Sequence, residues 1–337
     1  MVFELTDGLA LCPQSKRDML ITCVSNLLLG YYEGNLSLIA SPALCGFFSA
    51  NNFIEGTRQK VALNHLLNNN GYSPNVLWHI KVVLENADVN NHELDISFFS
   101  KTESVQPTSM LCENLEEIQF YSKQARYYHP LSPMRVNKRH GGGGTTVDVF
   151  KDIKRHNLVC LVLLDSDVKY PGCSIGDTAR RCVNNYQSKL ANIEVKVLPV
   201  HEVENLVPIS FMLSNSCSTG VRLLKRMEKR GILGSLVYYD VKEGITKEKA
   251  MKSKKYKEFA EFIFQKTNPR NQNGFDAYFN LKEDKDYLYS KLNPDMLSLF
   301  IQDKSTSYQH DELDVYRKEI ADLVYTFLCC RGTDPIN

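Results

Sequence analysis

Two aspartates one residue apart, Asp165 and Asp167, directly follow an apolar stretch of the chain. That stretch, at 158–164, reads LVCLVLL and has the length of a β-strand covered on both faces. Side chains at positions i and i+2 of a strand point the same way, so the two carboxylates would project together and repel each other. A divalent cation such as Mg²⁺ binds carboxylate oxygens and would remove this repulsion. The alternative is that the aspartates only open a loop, as aspartate often does.

Further acids stand next to other predicted strands. Glu55 lies in FIEG at a predicted strand-to-helix turn, where an acid can also simply favour the helix N-terminus. Glu202 and Glu204 lie in HEVENLVP, after the predicted strand IEVKVLPV. Because ligands of parallel α/β sheets bind at the carboxyl ends of the strands, either glutamate could join an acidic site. The alternative for this pair is the start of a solvated helix.

A glycine run offers a place for a phosphate. The sequence KRHGGGGTTVDVF, residues 138–150, puts four glycines before a predicted helix, whose N-terminal N–H groups can bind an anion. Arg139, His140, Gly142 and Gly143 are the candidate phosphate contacts. The run is not a Walker A loop, because the lysine of that motif is missing. A flexible connection is the alternative interpretation.

Basic residues are concentrated in one later region. Between residues 222 and 257 there are twelve Lys or Arg against four acids, although the net charge of the whole chain is only +1. Lys225, Arg226 and Lys229 are candidate contacts to a nucleic-acid backbone, together with Lys169 after the aspartates. The alternative is a solvated helix face with pairs of opposite charge.

Composition excludes several classes of protein. A hydrophobic content of 43% and a charged content of 23% are typical of a globular protein and not of a disordered one. The longest apolar runs are far shorter than the roughly 20 residues that span a bilayer. No signal peptide is recognisable, and the ten cysteines contain no CxxC pair. We therefore expect a cytoplasmic protein with reduced thiols and no contact with a membrane.

The order of the predicted elements indicates an α/β fold. Helices are predicted at 15–35, 41–49 and 57–68, and strands at 51–54, 158–164 and 193–200. Strand and helix signals alternate from about 51 to 215, which is typical of a mostly parallel sheet with flanking helices. We predict a helical N-terminal extension at 1–48, a core at 49–216 and a mainly helical region at 217–337, with one strand-like piece, LVYYDV.

The succession of the four motifs resembles the TOPRIM domain. An acid in FIEG, a glycine-rich helix entry, a strand ending in DSD and the later segment EVEN occur in the family's order. The likeness is greatest to OLD-type nucleases and to the TOPRIM nuclease subunits of bacterial anti-phage systems of the PARIS type. It covers roughly residues 50–245, and YYDVKEGI at 238–245 is similar to a segment that follows the core in some defence-associated members.

The resemblance implies an acidic pocket that holds Mg²⁺ or Mn²⁺. Glu55 corresponds to the acid/base or metal-ligating glutamate, Asp165 and Asp167 to the metal-ligating aspartates, and Glu204 to a later glutamate. The implied function is a metal-dependent endonuclease for DNA or structured RNA such as tRNA, acting as a toxic effector in anti-phage defence. A separate ATPase partner and a homodimer are implied in the same way. A non-catalytic TOPRIM-like module that binds or senses nucleic acid or protein is the alternative.

Two departures from the family pattern bear on the site. Nuclease-type members often carry an aspartate four residues after the glutamate, and that position is Gln59 here. Whether the site holds one metal ion or two therefore stays open. Glu202 or Asp148 could supply the ligand that is missing at Gln59. The interval between Glu55 and the glycine run is long, so we predict an insertion near 85–130.

Overall fold

The computed structural model describes residues 1–51, 53–69, 74–186, 190–268, 274–283, 285–305 and 307–332. The chain divides into two compact units that alternate along the sequence. The first contains Met1–Leu163, Cys182–Lys196 and the described residues from Ile320 on, and the second contains Leu164–Arg181 and Val197–Glu319. These divisions lie at other positions than the predicted ones at residues 48 and 216.

The first unit contains two four-stranded parallel sheets with flanking helices, as the predicted α/β class requires. Its strands and helices are β1 (Val2–Leu5), α1 (Arg17–Tyr32), β2 (Ser37–Ala40), α2 (Pro42–Ala50), α3 (Thr57–Asn68), β3 (Ile80–Val83), β4 (Glu93–Asp95), β5 (Ser109–Cys112), α4 (Leu115–Tyr128), β6 (Asn137–His140), α5 (Thr146–Arg155), β7 (Cys160–Leu164), α6 (Asp177–Asn185) and β8 (Ile193–Val197). The boundary with the second unit falls near the ends of β7 and β8 and within α6.

The first sheet has the strand order β2-β1-β3-β4. Helix α1 packs on this part of the unit because its buried side chains recur at helical spacing: Leu20, Cys23, Val24, Leu27 and Leu28. The prediction of a helical N-terminal extension is therefore wrong in one respect. Residues 1–48 contain two strands besides the predicted helices, and β1 is an interior strand. Four-residue strands are too short to show a recognisable period.

The second sheet has the order β6-β5-β7-β8 and carries the predicted core strands. All five residues of β7 are buried, and its neighbour β5 pairs with it in parallel, with Leu111 opposite Val162. Helices α4 and α5 pack against β5 and β6. The predicted strands at 158–164 and 193–200 are confirmed as β7 and β8. The region 85–130, predicted to be an insertion, contains the interior strand β5 and its helix α4.

The predicted strand at 51–54 is not a strand in its described part. Phe53 and Ile54 are buried in an extended loop before α3, and the Phe53 ring packs against Phe47 and Phe48. The guanidinium of Arg17 lies 4.7 Å from the centre of the same ring. These residues are apolar because they anchor a loop in the core, which a short sequence pattern does not distinguish from a strand.

The second unit is mainly helical, as predicted for the C-terminal region. Its elements are α7 (Ile209–Asn215), α8 (Ser218–Lys229), β9 (Ile245–Thr246), α9 (Lys247–Met251), α10 (Lys254–Thr267), α11 (Gly274–Asn280), β10 (Tyr287–Tyr289), α12 (Met296–Gln302) and the start of α13 (Asp314–Leu328). Strands β9 and β10 form an antiparallel ribbon. The strand predicted for LVYYDV is wrong, because Leu233–Tyr238 forms a 3₁₀ helix. Within the described ranges, no helix combines the length and apolarity needed to cross a bilayer.

Two helical glycines predict opposite effects of the same substitution. A Cβ at Gly30 in α1 would lie 2.8 Å from Val105 Cβ and 2.9 Å from the Val105 carbonyl oxygen, whereas a Cβ at Gly46 in α2 meets nothing within 4 Å. We expect Gly30→Ala to lower the free energy of unfolding by about 1–2 kcal/mol, since overpacking outweighs the gain in helix propensity. Gly46→Ala should raise it by about 0.5–1 kcal/mol. Urea unfolding of both variants measures this, and equal stability of the two would contradict the packing of α1.

Candidate metal centre

The loop that leaves β7 is anchored by the serine between the two aspartates. Ser166 is buried, and its hydroxyl donates to the Val200 carbonyl at 2.6 Å and accepts from the Val168 N–H at 3.2 Å. The Asp165 carboxylate accepts a hydrogen bond from the Val203 N–H at 3.0 Å. The loop after β7 is thereby joined to the segment that follows β8.

Asp167 does not continue the strand geometry that the sequence predicted. Its φ of 54° is in the left-handed region, which costs an L-residue of this type roughly 1 kcal/mol. The conformation is held by its N–H, which donates to the His201 carbonyl at 3.0 Å. A Cβ at Gly176 would lie 2.1 Å from Asp167 Oδ2, so only glycine leaves room for the carboxylate. The exposed Asp167 side chain has no hydrogen-bond or ion-pair partner among the residues that the structure describes.

The segment after β8 is held by a reciprocal cap. Glu202 precedes the 3₁₀ turn Val203–Leu206, where the Glu202 carboxylate accepts from the Asn205 N–H and the Asn205 side chain accepts from the Glu202 N–H. The Asn205 amide donates to the carbonyls of Leu236 and Tyr239 at 2.6 and 2.7 Å. The fully buried Asn205 therefore fixes the distance between this turn and the chain at 236–239.

Four ionisable side chains from these two segments, His201, Glu202, Glu204 and Asp240, are defined here as the acidic cluster. One ligand atom each from His201, Glu202 and Asp240 lies within 4.8 Å of the other two. His201 Nε2 is 3.1 Å from Glu202 Oε1. His201, Glu204 and Asp240 are buried, with at most 5% of their surface exposed.

Two lysines compensate the carboxylates of the acidic cluster. Lys242 Nζ lies 2.9 Å from Glu202 Oε2 and 3.2 Å from Glu204 Oε1. Lys249 Nζ lies 2.9 Å from Asp240 Oδ2 and also contacts the exposed Glu243. Pairing of this kind is required because isolated buried charges are costly.

The two glutamates of the cluster have opposite pKa shifts. Burial raises the pKa of Glu204, and the neighbouring Glu202 charge adds to this against the attraction of Lys242, so that its pKa is about 7. Burial also raises the pKa of Glu202, but the His201 hydrogen bond and the Lys242 charge outweigh it and lower the pKa to about 2. The environment therefore favours the anion at Glu202 and the protonated form at Glu204.

Three buried polar atoms of the cluster lack a hydrogen-bond partner among the described residues, and one of them, Glu202 Oε2, forms an ion pair with Lys242. The other two are Glu204 Oε2 and His201 Nδ1. Such atoms are rare in folded proteins and indicate a ligand or water. An imidazole with carboxylates fits Mn²⁺ or another transition ion, whereas Mg²⁺ prefers oxygen ligands alone. The residues present thus fit a divalent ion held by His201, Glu202 and Asp240, with Glu204 next to it in the cluster.

The structure brings part of the predicted site together. Asp165, Asp167 and Lys169 belong to the same loop of the second unit, and Asp165 is bonded to the turn that carries Glu204. Lys225, Arg226 and Lys229 are exposed on α8 of that unit.

Glu55 belongs to the first unit and is exposed in the loop before α3. Helix α3 packs on α1, α2 and β2, which are elements of the first sheet and its cover. A Cβ at Gly56 would lie 2.1 Å from Gln59 Oε1, so the glutamine side chain folds back over the turn. Asp148, the other suggested substitute for Gln59, is exposed on α5 and pairs with Lys151. The role of Glu55 as a ligand stays a prediction.

The glycine run lies at the carboxyl ends of β5 and β6 in the first unit. Gly142 and Gly143 have φ values of 65° and 67°, which glycine adopts without strain. The N–H of Gly142 donates to the Glu113 carbonyl at 2.9 Å. Arg139 and His140 are exposed in β6. Their contact with a phosphate stays a prediction.

Glu113 is a further acid that stands next to a strand. It follows β5 directly and precedes α4, whose N-cap Asn114 accepts from the Glu117 N–H. Glu117 Oε2 in turn accepts from the Glu113 N–H at 3.1 Å. Since β5 and β7 are parallel neighbours, Glu113 follows an interior strand of the same sheet, as Asp165 does. The capping pattern N-x-x-E after an apolar run was the available signal.

His201, Asp240 and Lys242 were also missed as cluster members. His201 lies in HEVENLVP, and Asp240 and Lys242 lie in YYDVKEGI, but neither pattern marks them as ligands or counter-charges. The turn held by Asn205 brings them next to Glu202. No family model matches the chain, and no curated protein or solved structure matches it significantly.

The raised pKa of Glu204 predicts a pH-dependent effect on stability. Between about pH 4.5 and 7 the folded state binds a proton at Glu204 that the unfolded state has lost, so stability decreases as the pH rises through this window. Glu204→Gln lacks this loss. We expect the Tm of Glu204→Gln minus the Tm of the wild type to be larger at pH 8.5 than at pH 5.5. The increase should be about 2–4 °C for each kcal/mol of stability that the wild type loses over this pH range.

The measurement is thermal unfolding in EDTA, with Glu243→Gln as the matched control. Glu243 is exposed and its pKa is lowered by the Lys249 contact, so its charge is unchanged across this range. A Tm difference for Glu204→Gln that does not vary with pH would contradict the assignment.

Proposed function

We propose that the chain is a metal-dependent nuclease that hydrolyses phosphodiester bonds of DNA or structured RNA such as tRNA. The observation that carries this proposal is the acidic cluster, which combines a metal-compatible donor set with an orphaned carboxylate oxygen. It follows β8 in the chain, and the hydrogen bond from the Val203 N–H to Asp165 joins it to the loop of Asp165 and Asp167.

The residues of the site support hydrolysis in distinct ways. A bound Mn²⁺, which accepts the imidazole as well as the carboxylates, would supply a Lewis acid for the charge that develops on phosphate oxygens, and Mg²⁺ would do so from the carboxylates alone. Glu204 lies in the cluster with its Oε2 atom without a hydrogen-bond partner among the described residues, so it is placed to take a proton from the attacking water. Asp167, exposed and fixed by its backbone, is available to the ion or to water. Lys169 in the same loop offers a positive charge to the phosphate.

A nucleic-acid path is supported by the distribution of positive charge. Lys225, Arg226 and Lys229 are exposed on α8 of the unit that contains the acidic cluster. Such residues bind a phosphate backbone without reading its sequence. Arg139, His140 and the glycines at 142 and 143 are candidate contacts in the first unit.

Glu113 is an additional candidate for the acid that the TOPRIM resemblance assigned to Glu55. It follows a strand and precedes a helix, and the fourth residue after it, Glu117, is acidic where Gln59 is not. Glu117 itself is buried and bonded to Asn114 and to the Glu113 backbone, which favours a positioning role for it.

A non-catalytic module that binds nucleic acid or protein is the second candidate function. Lys242 and Lys249 already compensate the buried carboxylates, so the fold balances these charges without a metal. The TOPRIM assignment, a toxic role in anti-phage defence, an ATPase partner and a homodimer rest on the resemblance alone and are part of the proposal.

The test of activity is incubation with plasmid DNA and total tRNA in Mg²⁺, Mn²⁺ or EDTA. We expect cleavage that EDTA abolishes and that Asp165→Asn, Asp167→Asn and Glu202→Gln each lower by about 100-fold or more, because each removes a candidate ligand or its support. Glu243→Gln should retain activity. Full activity in the three site variants would refute the proposed centre, and no cleavage with either metal would favour the binding module.

A second prediction separates the two candidate glutamates. If the acid is Glu113, then Glu113→Gln should lower cleavage by about 100-fold while Glu55→Gln stays near wild type; the reverse result would support the FIEG motif. Both residues lie outside regular elements, and circular dichroism confirms that each variant is folded. Loss of activity in neither variant would exclude both from the chemistry.

A further inference from the structure

The second unit contains a cavity that shares no residue with the acidic cluster. Its volume is about 360 Å³, within the range of small-molecule sites. It lies among α8, the end of α10, α11 and β10. The residues that line it are Thr219, Arg222, Leu223, Arg226, Phe264, Thr267, Asn268, Tyr278, Leu288, Tyr289 and Ser290.

The charge of the cavity is positive. Arg222 and Arg226 stand one turn apart on α8 and line the same space, and no acidic residue is among its described lining. Like charges at this spacing repel each other. Asn268 Oδ1 accepts a hydrogen bond from Arg226 at 3.1 Å and orients its guanidinium, while Arg222 has no ion-pair partner within the described part of the chain. The two guanidinium groups together favour a doubly charged anion.

The remaining walls are apolar and aromatic. Phe264 and Tyr278 are stacked, with their ring centres 5.0 Å apart, and Leu223 and Leu288 are buried beside the cavity. The Tyr278 and Tyr289 hydroxyls donate to the carbonyls of Leu288 and Ala260, so their polar ends are satisfied elsewhere. The ring bodies form a surface for a flat heteroaromatic group.

We propose that this cavity binds a nucleoside 5′-monophosphate, with the phosphate on Arg222 and Arg226 and the base against the aromatic wall. A phosphate monoester carries nearly two negative charges at neutral pH and matches the two arginines, which bind phosphate in bidentate geometry. The same chemistry occurs in a free mononucleotide and in the 5′-phosphorylated end of a strand. This proposal goes beyond nuclease activity and does not depend on it.

The test is calorimetric titration of the full chain in EDTA with AMP, GMP, adenosine and inorganic phosphate. We expect the nucleotides to bind at least about tenfold more tightly than either adenosine or phosphate, because both halves of the ligand are recognised. Arg222→Gln should weaken nucleotide binding by at least about tenfold. Lys304→Gln, at an exposed position of the same unit outside the lining, should leave it unchanged. Adenosine or phosphate binding as tightly as AMP, no weakening in Arg222→Gln, or no binding at millimolar nucleotide would overturn the proposal.

Two further arms identify the source and separate the two proposals. A short oligonucleotide with a 5′-phosphate that binds more tightly than its 5′-hydroxyl form would support the end of a strand as the ligand, whereas binding of AMP alone would support a free nucleotide. Nucleotide binding should persist in Asp167→Asn, a change at an exposed side chain of the proposed nuclease site. Its loss there would overturn the independence of this cavity, and its persistence without any cleavage would leave it standing while the nuclease proposal fails.

Discussion

The burial of opposite charges in the acidic cluster is the constraint on which the second unit depends. Glu202, Glu204 and Asp240 are removed from water, and the ammonium groups of Lys242 and Lys249 are the groups that compensate them. If one member of such a set is removed, an uncompensated charge remains in a region of low dielectric. The turn at 201–206 and the chain at 236–249 must therefore keep one relative position.

The neutral contacts around the cluster serve this requirement. Asn205 bonds to two carbonyls of the facing segment, and Ser166 bonds to the Val200 carbonyl. Asp167 keeps a left-handed backbone, and Gly176 leaves the space that its carboxylate needs. Asn205, Ser166 and Gly176 have no charge to contribute at the centre, yet together with the Asp167 backbone they determine which charged groups meet. If the cluster binds an ion, these contacts would orient its ligands, as the outer-shell partners of metal sites do.

The same charged groups are compatible with both candidate functions, the metal-dependent nuclease and the non-catalytic binding module. A cluster neutralised by lysines is stable without a metal, whereas its orphaned oxygen and its imidazole nitrogen are features of a site that has room for a ligand. The positive cavity beside α8 adds a separate recognition element, built from arginines and aromatic rings. The two proposals, hydrolysis at the acidic cluster and nucleotide binding in the cavity, therefore rest on different residues of the second unit.

The local patterns of the sequence determined the strands β7 and β8, the helices α1, α2 and α3, the α/β class and the helical C-terminal region. Uninterrupted apolar runs and helical spacing act over short distances, so they can be recognised without knowledge of the fold. The aspartates at 165 and 167 were found for the same reason, since they follow a fully buried strand. The strands at the N-terminus were missed because four residues are too few to show the alternation of apolar and polar residues that is typical of a strand.

The tertiary structure decided which residues meet. FIEG has a strong local pattern, but its residues Phe53 and Ile54 anchor a loop and do not form a strand. Glu113, in contrast, follows the strand β5, which pairs with β7 and whose sequence shows no strong pattern. His201, Asp240 and Lys242 lie as far as 41 residues apart along the chain and become neighbours through the bonds of Asn205. Compensation of buried charge depends on distances in space, which spacing along the chain does not encode.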